Sequence, residues 1–337
     1  MNRGVLSVIE FVGRTPSSAR EPLGRALVPS FRTNVTAALL CAGLSMAQPV
    51  ENPIVERKPV DLPAFESIRQ IARYATAAEY AEAVAESEYR YERLLYRSEG
   101  VIVSGYLYSP KTQTSKLPGI VFSRGSLVVG NQAPVLLTMI RRLAREGFVV
   151  FAPMFRGSDG TEGHDELGGA DLHDLRNAIE LVKSLPGVDA GNVFLYGESR
   201  GGMMTYFALR DNYAVRAVAV WGGITDIVEY LKAKDPDAKL AAATWPDYAS
   251  RKDGIHESRS AIRWPGKTGK PILIMHGGED KDVSPLHSLK MAEALTELKR
   301  EYSLVIFAND DHILTRNRNR RDRLAIEWFH QHRDGVR

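Results

Sequence analysis

Residues 195–202 read LYGESRGG, an apolar stretch running into a serine set between two glycines. The run NVFLYG (192–197) has the composition of a buried strand, and 200–210 carries apolar residues at helical spacing. A Gly-x-Ser-x-Gly that closes a strand and opens a helix is the setting of a nucleophile elbow. In such an elbow the backbone doubles back, so the serine hydroxyl stands clear of the sheet and flanking side chains must be absent. The following helix aims its unpaired N–H groups at the point where an oxyanion would form. The plainer reading is a glycine-rich strand-to-helix turn in which Ser199 is only small and polar. The rest of the chain decides between them.

Outward from this turn the pattern repeats. Short apolar runs at 119–123, 147–153, 192–197, 215–222, 271–277 and 302–308 read as strands. Helix-like stretches lie near 133–145, 170–184, 200–210, 286–299 and 320–332. Uniformly apolar strands alternating with amphipathic helices predict a mostly parallel sheet with helices on both faces, an α/β fold. Residues 223–266 are polar and break the rhythm, so they are expected as an insertion over the strand ends. Before the alternation begins, YRYERLLYR and VIVSGYLYSP, split by Ser98-Glu99-Gly100, predict a β-hairpin. Residues 64–89 are expected as an N-terminal helical segment, and the Pro-rich 48–63 as a linker.

The 337 residues are 44% hydrophobic and 25% charged, ordinary for a globular chain. The net charge of +3 comes entirely from residues 1–47, and the remainder holds 39 basic and 39 acidic side chains. Nothing in that balance calls for a nucleic-acid partner. Within 1–47, Arg32 precedes the apolar run VTAALLCAGLSM and a small-x-Ala site ending at Ala47, the pattern of a secretory signal too short to span a bilayer. Export to a periplasm or outside the cell is therefore expected if 35–47 works as a signal, and a cytoplasmic protein otherwise. The sole cysteine, Cys41, lies in this segment, so disulfides, thiol chemistry and Cys-based zinc sites are not expected in the mature chain.

A serine hydroxyl needs a base, and the base needs a carboxylate to orient it. In a sheet of this kind the order is serine, acid, histidine. Histidines 164, 173, 256 and 276 precede the acid position, His287 falls inside a predicted helix, and His330 and His332 end the last one. His312, in ANDDHIL just after the strand at 302–308, remains as the base. The acid belongs in HGGEDKDVSP (276–285), where Glu279, Asp280 and Asp282 all qualify by position. Asp226 is a rival one strand earlier, better suited to capping the next helix. Asp171 and Asp174, at a predicted helix start, read as dipole-offsetting and capping carboxylates, and RNRNRRDR (316–323) as a solvated helix start. A metal site on His164, Asp165 and His173 lacks a tight His-x-x-x-His pairing, and the elbow lacks the Gly-Lys-Ser/Thr ending of a phosphate loop. Neither metal nor cofactor is expected.

Taken together, LLYRSEGVIVSGYLYSP, FAPMFRGSDGTEG, GGADLHDLRNAIELV, VFLYGESRGGMMTYFAL and PILIMHGGEDKDVSPLHSLKMAEAL, in that order, resemble the catalytic domain of the prolyl oligopeptidase family of serine peptidases, an α/β-hydrolase. The resemblance spans about 90–335 and implies Ser199 as nucleophile and His312 as base. It selects Asp280 as acid, four residues after the histidine of H-G-x-x-D-x-x-V. It also implies an oxyanion pocket built from the Arg200 N–H and a second donor near Gly125. Two departures stand out. FSRGS (122–126) replaces the family's His-Gly-Gly-Pro, with Arg124 in place of the histidine, and the roughly 40 mature residues before the hairpin hold no β-propeller. The expected activity is that of a serine-type peptidase on peptide substrates. A carboxylesterase taking small esters is the alternative on the same scaffold, and a catalytically silent ligand-binding α/β-hydrolase the remote one. Oligomeric state is not legible.

Overall fold

The computed structural model describes the backbone of residues 8–13 and residues 52–126 and 132–335. The apolar stretch 35–47, expected as a signal, lies outside them. Among the described residues, ten strands form one sheet. In chain order they are β1 (Val8–Gly13), β2 (Ile54–Pro59), β3 (Tyr89–Ser98), β4 (Val101–Pro110), β5 (Leu117–Ser123), β6 (Val149–Pro153), β7 (Val188–Glu198), β8 (Val218–Trp221), β9 (Ile272–Gly277) and β10 (Tyr302–Phe307). The spatial order is β1-β10-β9-β8-β7-β5-β6-β4-β3-β2. Strands β5 to β10 are mutually parallel, and β4, β3, β2 and β1 run antiparallel to their neighbours.

The period-2 alternation divides the core into two layers. Val193 and Leu195 of β7, with Ile272 and Ile274 of β9, face a cluster closed by α3 (Asp171–Ser184), α4 (Arg200–Arg210) and α8 (Leu286–Glu297). Phe194 and Tyr196, with Leu273 and Met275, face the other, closed by α2 (Ala133–Arg145) and α9 (Arg318–Gln331). With both faces covered, the central strands carry no polar alternation. The hairpin forms as expected, its two-residue turn being Glu99 and Gly100 with φ of 46° and 82°. Positive φ at both positions matches the right-handed twist of the flanking strands.

Three expectations need amending. The Pro-rich 48–63 is not plain linker, since β2 pairs antiparallel with β3, and its proline sits at the end of an edge strand, where a missing N–H costs no ladder bond. The segment 64–89, expected to be helical, holds two short 3-10 turns, Phe65–Ser67 and Ile71–Arg73, and one helix, α1 (Ala77–Val84), before β3 begins at Tyr89. Gln70 is left-handed, and Thr76 starts α1 with a capping box to Glu79. In RNRNRRDR, Arg321 and Asp322 are buried rather than solvated. Arg321 lies 4.1 Å from the Trp221 ring and donates to Asp322 and to the Ile313 carbonyl. The insertion contains α5 (Ile227–Lys234), α6 (Lys239–Thr244) and α7 (Tyr248–Ser258).

Candidate active site

Ser199 follows the last residue of β7 with φ 51° and ψ −115°, outside the regions open to an unstrained side chain. The surroundings over-determine this turn. Its N–H donates to the Trp221 carbonyl on β8 at 2.9 Å, and its own carbonyl accepts the Met203 N–H of α4. A Cβ on Gly201 would stand 1.8 Å from the Ser123 carbonyl oxygen, and one on Gly197 2.3 Å from Thr205 Oγ1. Both glycines are therefore required by close approach. The turn has the strained strand-to-helix backbone that the spacing suggested.

His312 lies in the loop after β10, and its Nε2 is 2.9 Å from Ser199 Oγ. Its Nδ1 is 2.7 Å from Asp280 Oδ2. A carboxylate only accepts, so the imidazole proton sits on Nδ1 and the Nε2 lone pair faces the hydroxyl. Burial opposes charge on His312, but the Asp280 hydrogen bond and charge outweigh it and raise the imidazole above its ordinary 6.5. Asp280 is likewise buried. Hydrogen bonds from His276 and His312, and the Val283 N–H, nonetheless hold its carboxyl well below the usual range.

Of the three acids left open by position, only Asp280 reaches the imidazole. Asp282 is exposed and pairs with Lys234 Nζ at 3.2 Å, and Glu279 is exposed. Asp226 caps α5 through the Val228 and Glu229 N–H groups. Asp280, Asp282 and His312 offer ligand atoms within 4.8 Å of one another. Asp280 and His312 are already hydrogen-bonded to each other. The imagined metal set is dispersed, with Asp165 on Arg200 and His164 Nε2 at the Thr244 carbonyl.

Several residues that position the site carry little sequence signal. His276, passed over because it precedes the acid, is fully buried with Nε2 3.0 Å from Asp280 Oδ2 and Nδ1 2.6 Å from Ser288 Oγ. It meets the same oxygen of the acid as His312 does. Asp310 ties the histidine loop through the Asp311 and Arg316 N–H groups and Asn317 Nδ2. Asp171 and Asp174 do more than offset a helix dipole. Asp171 takes Arg200 at 2.7 Å and the Gly168 and Gly169 N–H groups, while Asp174 takes Arg156, Ser98 Oγ and the Arg156 N–H.

For the oxyanion pocket, Arg200 is the first residue of α4, where a backbone N–H has no acceptor within the helix. Its side chain turns away, buried over the Phe155 ring at 4.2 Å and bonded to Asp165 and Asp171. The Gly125 N–H points at Glu198 Oε2, 3.3 Å away. The Arg124 side chain clamps loops, donating to the Gly125 and Met154 carbonyls and to Ser158 Oγ. Burial and the nearby Arg200 charge lower its guanidinium to about 9.

The family model described as Prolyl oligopeptidase family matches residues 136–335, more than half the chain. The chain belongs to that family. Membership makes it a serine hydrolase enzyme, and its fold is that of the α/β-hydrolases. An uncharacterized peptidase, YtmA, of Bacillus subtilis is 27% identical over 239 residues, covering 70% of this chain and 91% of the relative. The acylamino-acid-releasing enzyme of Rattus norvegicus is 26% identical, covering 56% of this chain but 28% of that enzyme. Among solved structures, the acylaminoacyl peptidase of Pyrococcus horikoshii superposes with a TM-score of 0.64 at 21% identity, over 75% of this chain and 43% of that one. Acetyl xylan esterase 1 from Thermoanaerobacterium gives 0.54 at 16%, over 77% of this chain and 94% of that one. This family member thus spans well under half the length of several of the peptidases it resembles.

Proposed function

We propose that the chain is a serine peptidase of prolyl oligopeptidase type that works through an acyl-enzyme on Ser199. The observation that carries this is the unbroken chain Ser199 Oγ, His312 Nε2, His312 Nδ1, Asp280 Oδ2, mounted on a strained elbow. In this reading His312 Nε2 takes the Ser199 proton as Oγ bonds to the substrate carbonyl carbon. The oxyanion rests on the Arg200 N–H, with Gly125 as second donor. The imidazolium then protonates the leaving amine as the C–N bond breaks, and water repeats the sequence to release the acid. Names of relatives that release acylated amino acids point to N-acylated substrates as the first to try. A carboxylesterase is the second reading, favoured by the fold it shares with an acetyl xylan esterase over nearly that enzyme's whole length.

The test is kcat/KM for one N-acetyl-aminoacyl group presented as an anilide and as an aryl ester, with Ser199→Ala as control. Serine-dependent cleavage of both supports the peptidase, and of the ester alone the esterase. Turnover of near-wild-type rate in Ser199→Ala removes Ser199 from the mechanism. We also propose export, on the pattern at 35–47. N-terminal sequencing of the secreted protein should then begin at Gln48.

A further inference from the structure

The relay leaves one buried acid beside the nucleophile without a task. Glu198 ends β7, precedes Ser199 and is 3% exposed. Its carboxyl lies flat against Gly125. A Cβ there would meet Glu198 Cδ at 3.2 Å, and Glu198 Oε2 accepts the Gly125 N–H at 3.3 Å. That N–H is the second donor proposed for the oxyanion. At 3.3 Å the bond is long for an amide donor to a carboxyl oxygen, so the donor is held but not saturated. An oxyanion forming at Ser199 and the Glu198 carboxyl therefore draw on one N–H.

We propose that Glu198 is a positioning residue of the oxyanion pocket: as the neutral acid it aligns the Gly125 N–H for the oxyanion, and as the carboxylate it keeps that donor and opposes the developing charge. The inference rests on the serine-peptidase reading above. A carboxylate is the stronger acceptor, and two negative charges in one water-poor pocket repel. Titratable groups reach Glu198 from four parts of the fold. His312 comes from the loop after β10, Arg321 from α9, Arg124 from the loop after β5, and Tyr74 from the turn before α1. Burial favours the neutral acid, whereas His312, Arg321, the Gly125 N–H and Arg124 favour the anion. Burial prevails and raises the carboxyl above its ordinary 4.5. Ionisation on the alkaline side of that raised value then withdraws the donor.

The experiment is the pH profile of kcat and KM for an aryl ester with wild type and Glu198→Gln, whose amide keeps an acceptor and never ionises. Wild type should lose kcat towards alkaline pH with KM little changed, and the variant should not. At pH ~9 the variant should exceed wild type about tenfold, less than the ~10²–10³ that complete loss of one oxyanion donor costs. Superimposable profiles overturn the proposal. So does a variant slower at every pH whose acid limb moves down, which would assign the carboxylate to steadying the His312 imidazolium instead. Should the variant not fold, wild type alone decides, through the rate of Ser199 labelling by an aryl phosphonate. That rate must show the same alkaline fall, and a rate rising steadily to pH ~10 overturns it. Labelling or turnover that persists in Ser199→Ala sinks the serine reading, whereas serine-dependent activity with no Glu198 effect sinks this inference alone.

Discussion

Replacing Asp280 by asparagine tests the relay most sharply, because the outcome follows from which of its oxygens does what. Oδ1 accepts the Asp282 and Val283 N–H groups at 2.8 and 2.9 Å. An asparagine must place its carbonyl there and turn its NH2 towards His312 and His276. His312 Nδ1 then has to accept, its proton moves to Nε2, and that nitrogen can no longer take the Ser199 proton. The charge is lost as well. An imidazolium 2.7 Å from a carboxylate is worth about 6 kcal/mol at an effective dielectric of about 20, and about 1.4 kcal/mol is one decade in rate. We expect Asp280→Asn to lower kcat/KM about 10⁴-fold on an aryl ester, with far-UV circular dichroism unchanged. Asp282→Asn, changing an exposed side chain paired with Lys234, should cost less than about fivefold. An Asp280→Asn enzyme within tenfold of wild type, or a more damaging Asp282→Asn, would refute the reasoning.

Three further outcomes can be checked. Because Asp280 raises His312 above 6.5, and only the neutral imidazole accepts the serine proton, kcat/KM should fall as pH drops through a midpoint above 6.5. A midpoint below it means Asp280 does not govern the base. Asp171→Asn leaves the buried Arg200 guanidinium with only the half-exposed Asp165. It should cost about 3 kcal/mol and lower Tm by about 10 °C in a thermal melt, while an unchanged Tm would show the pair to be energetically neutral. Gly201→Ala puts a methyl 1.8 Å from the Ser123 carbonyl, so soluble protein should neither label with a phosphonate nor turn over. Full labelling would mean the elbow relaxes without losing its geometry.

What the sequence disclosed tracks how local each cause is. Strand composition, helix periodicity and the Glu99-Gly100 turn act over a few residues, and the parallel core and hairpin were legible from them. Ser199 was legible because its two glycines are needed for contacts inside one turn, and His312 because chain order left few histidines. Asp280 was not separable from Glu279 and Asp282 by position alone, since a one-residue shift in a loop decides which carboxylate faces the imidazole. His276, Asp310 and Glu198 were missed for a different reason. Each acts through hydrogen bonds that position alone does not mark, and burial, which changes what a carboxyl or imidazole does, leaves no mark in the letters. Arg321 shows the same limit, because a basic run reads as solvated until one guanidinium is found over Trp221. The edge strand β2 hid behind its proline, which an edge tolerates and a central strand would not.

Ser199 and His312 are 113 residues apart in the chain and meet only across the ends of β7 and β10. Between them the chain must lay down α4, β8, the helical insertion, β9, α8 and β10 before the base has a place to dock. Contacts of such long sequence separation close late in folding, after the entropy of the intervening loop has been overcome. In the serine-peptidase reading, a chain halted on the ribosome between residues 199 and 312 carries the nucleophile without its base. In that reading, the recovery of hydrolysis after dilution from denaturant times the docking of the last parallel strand.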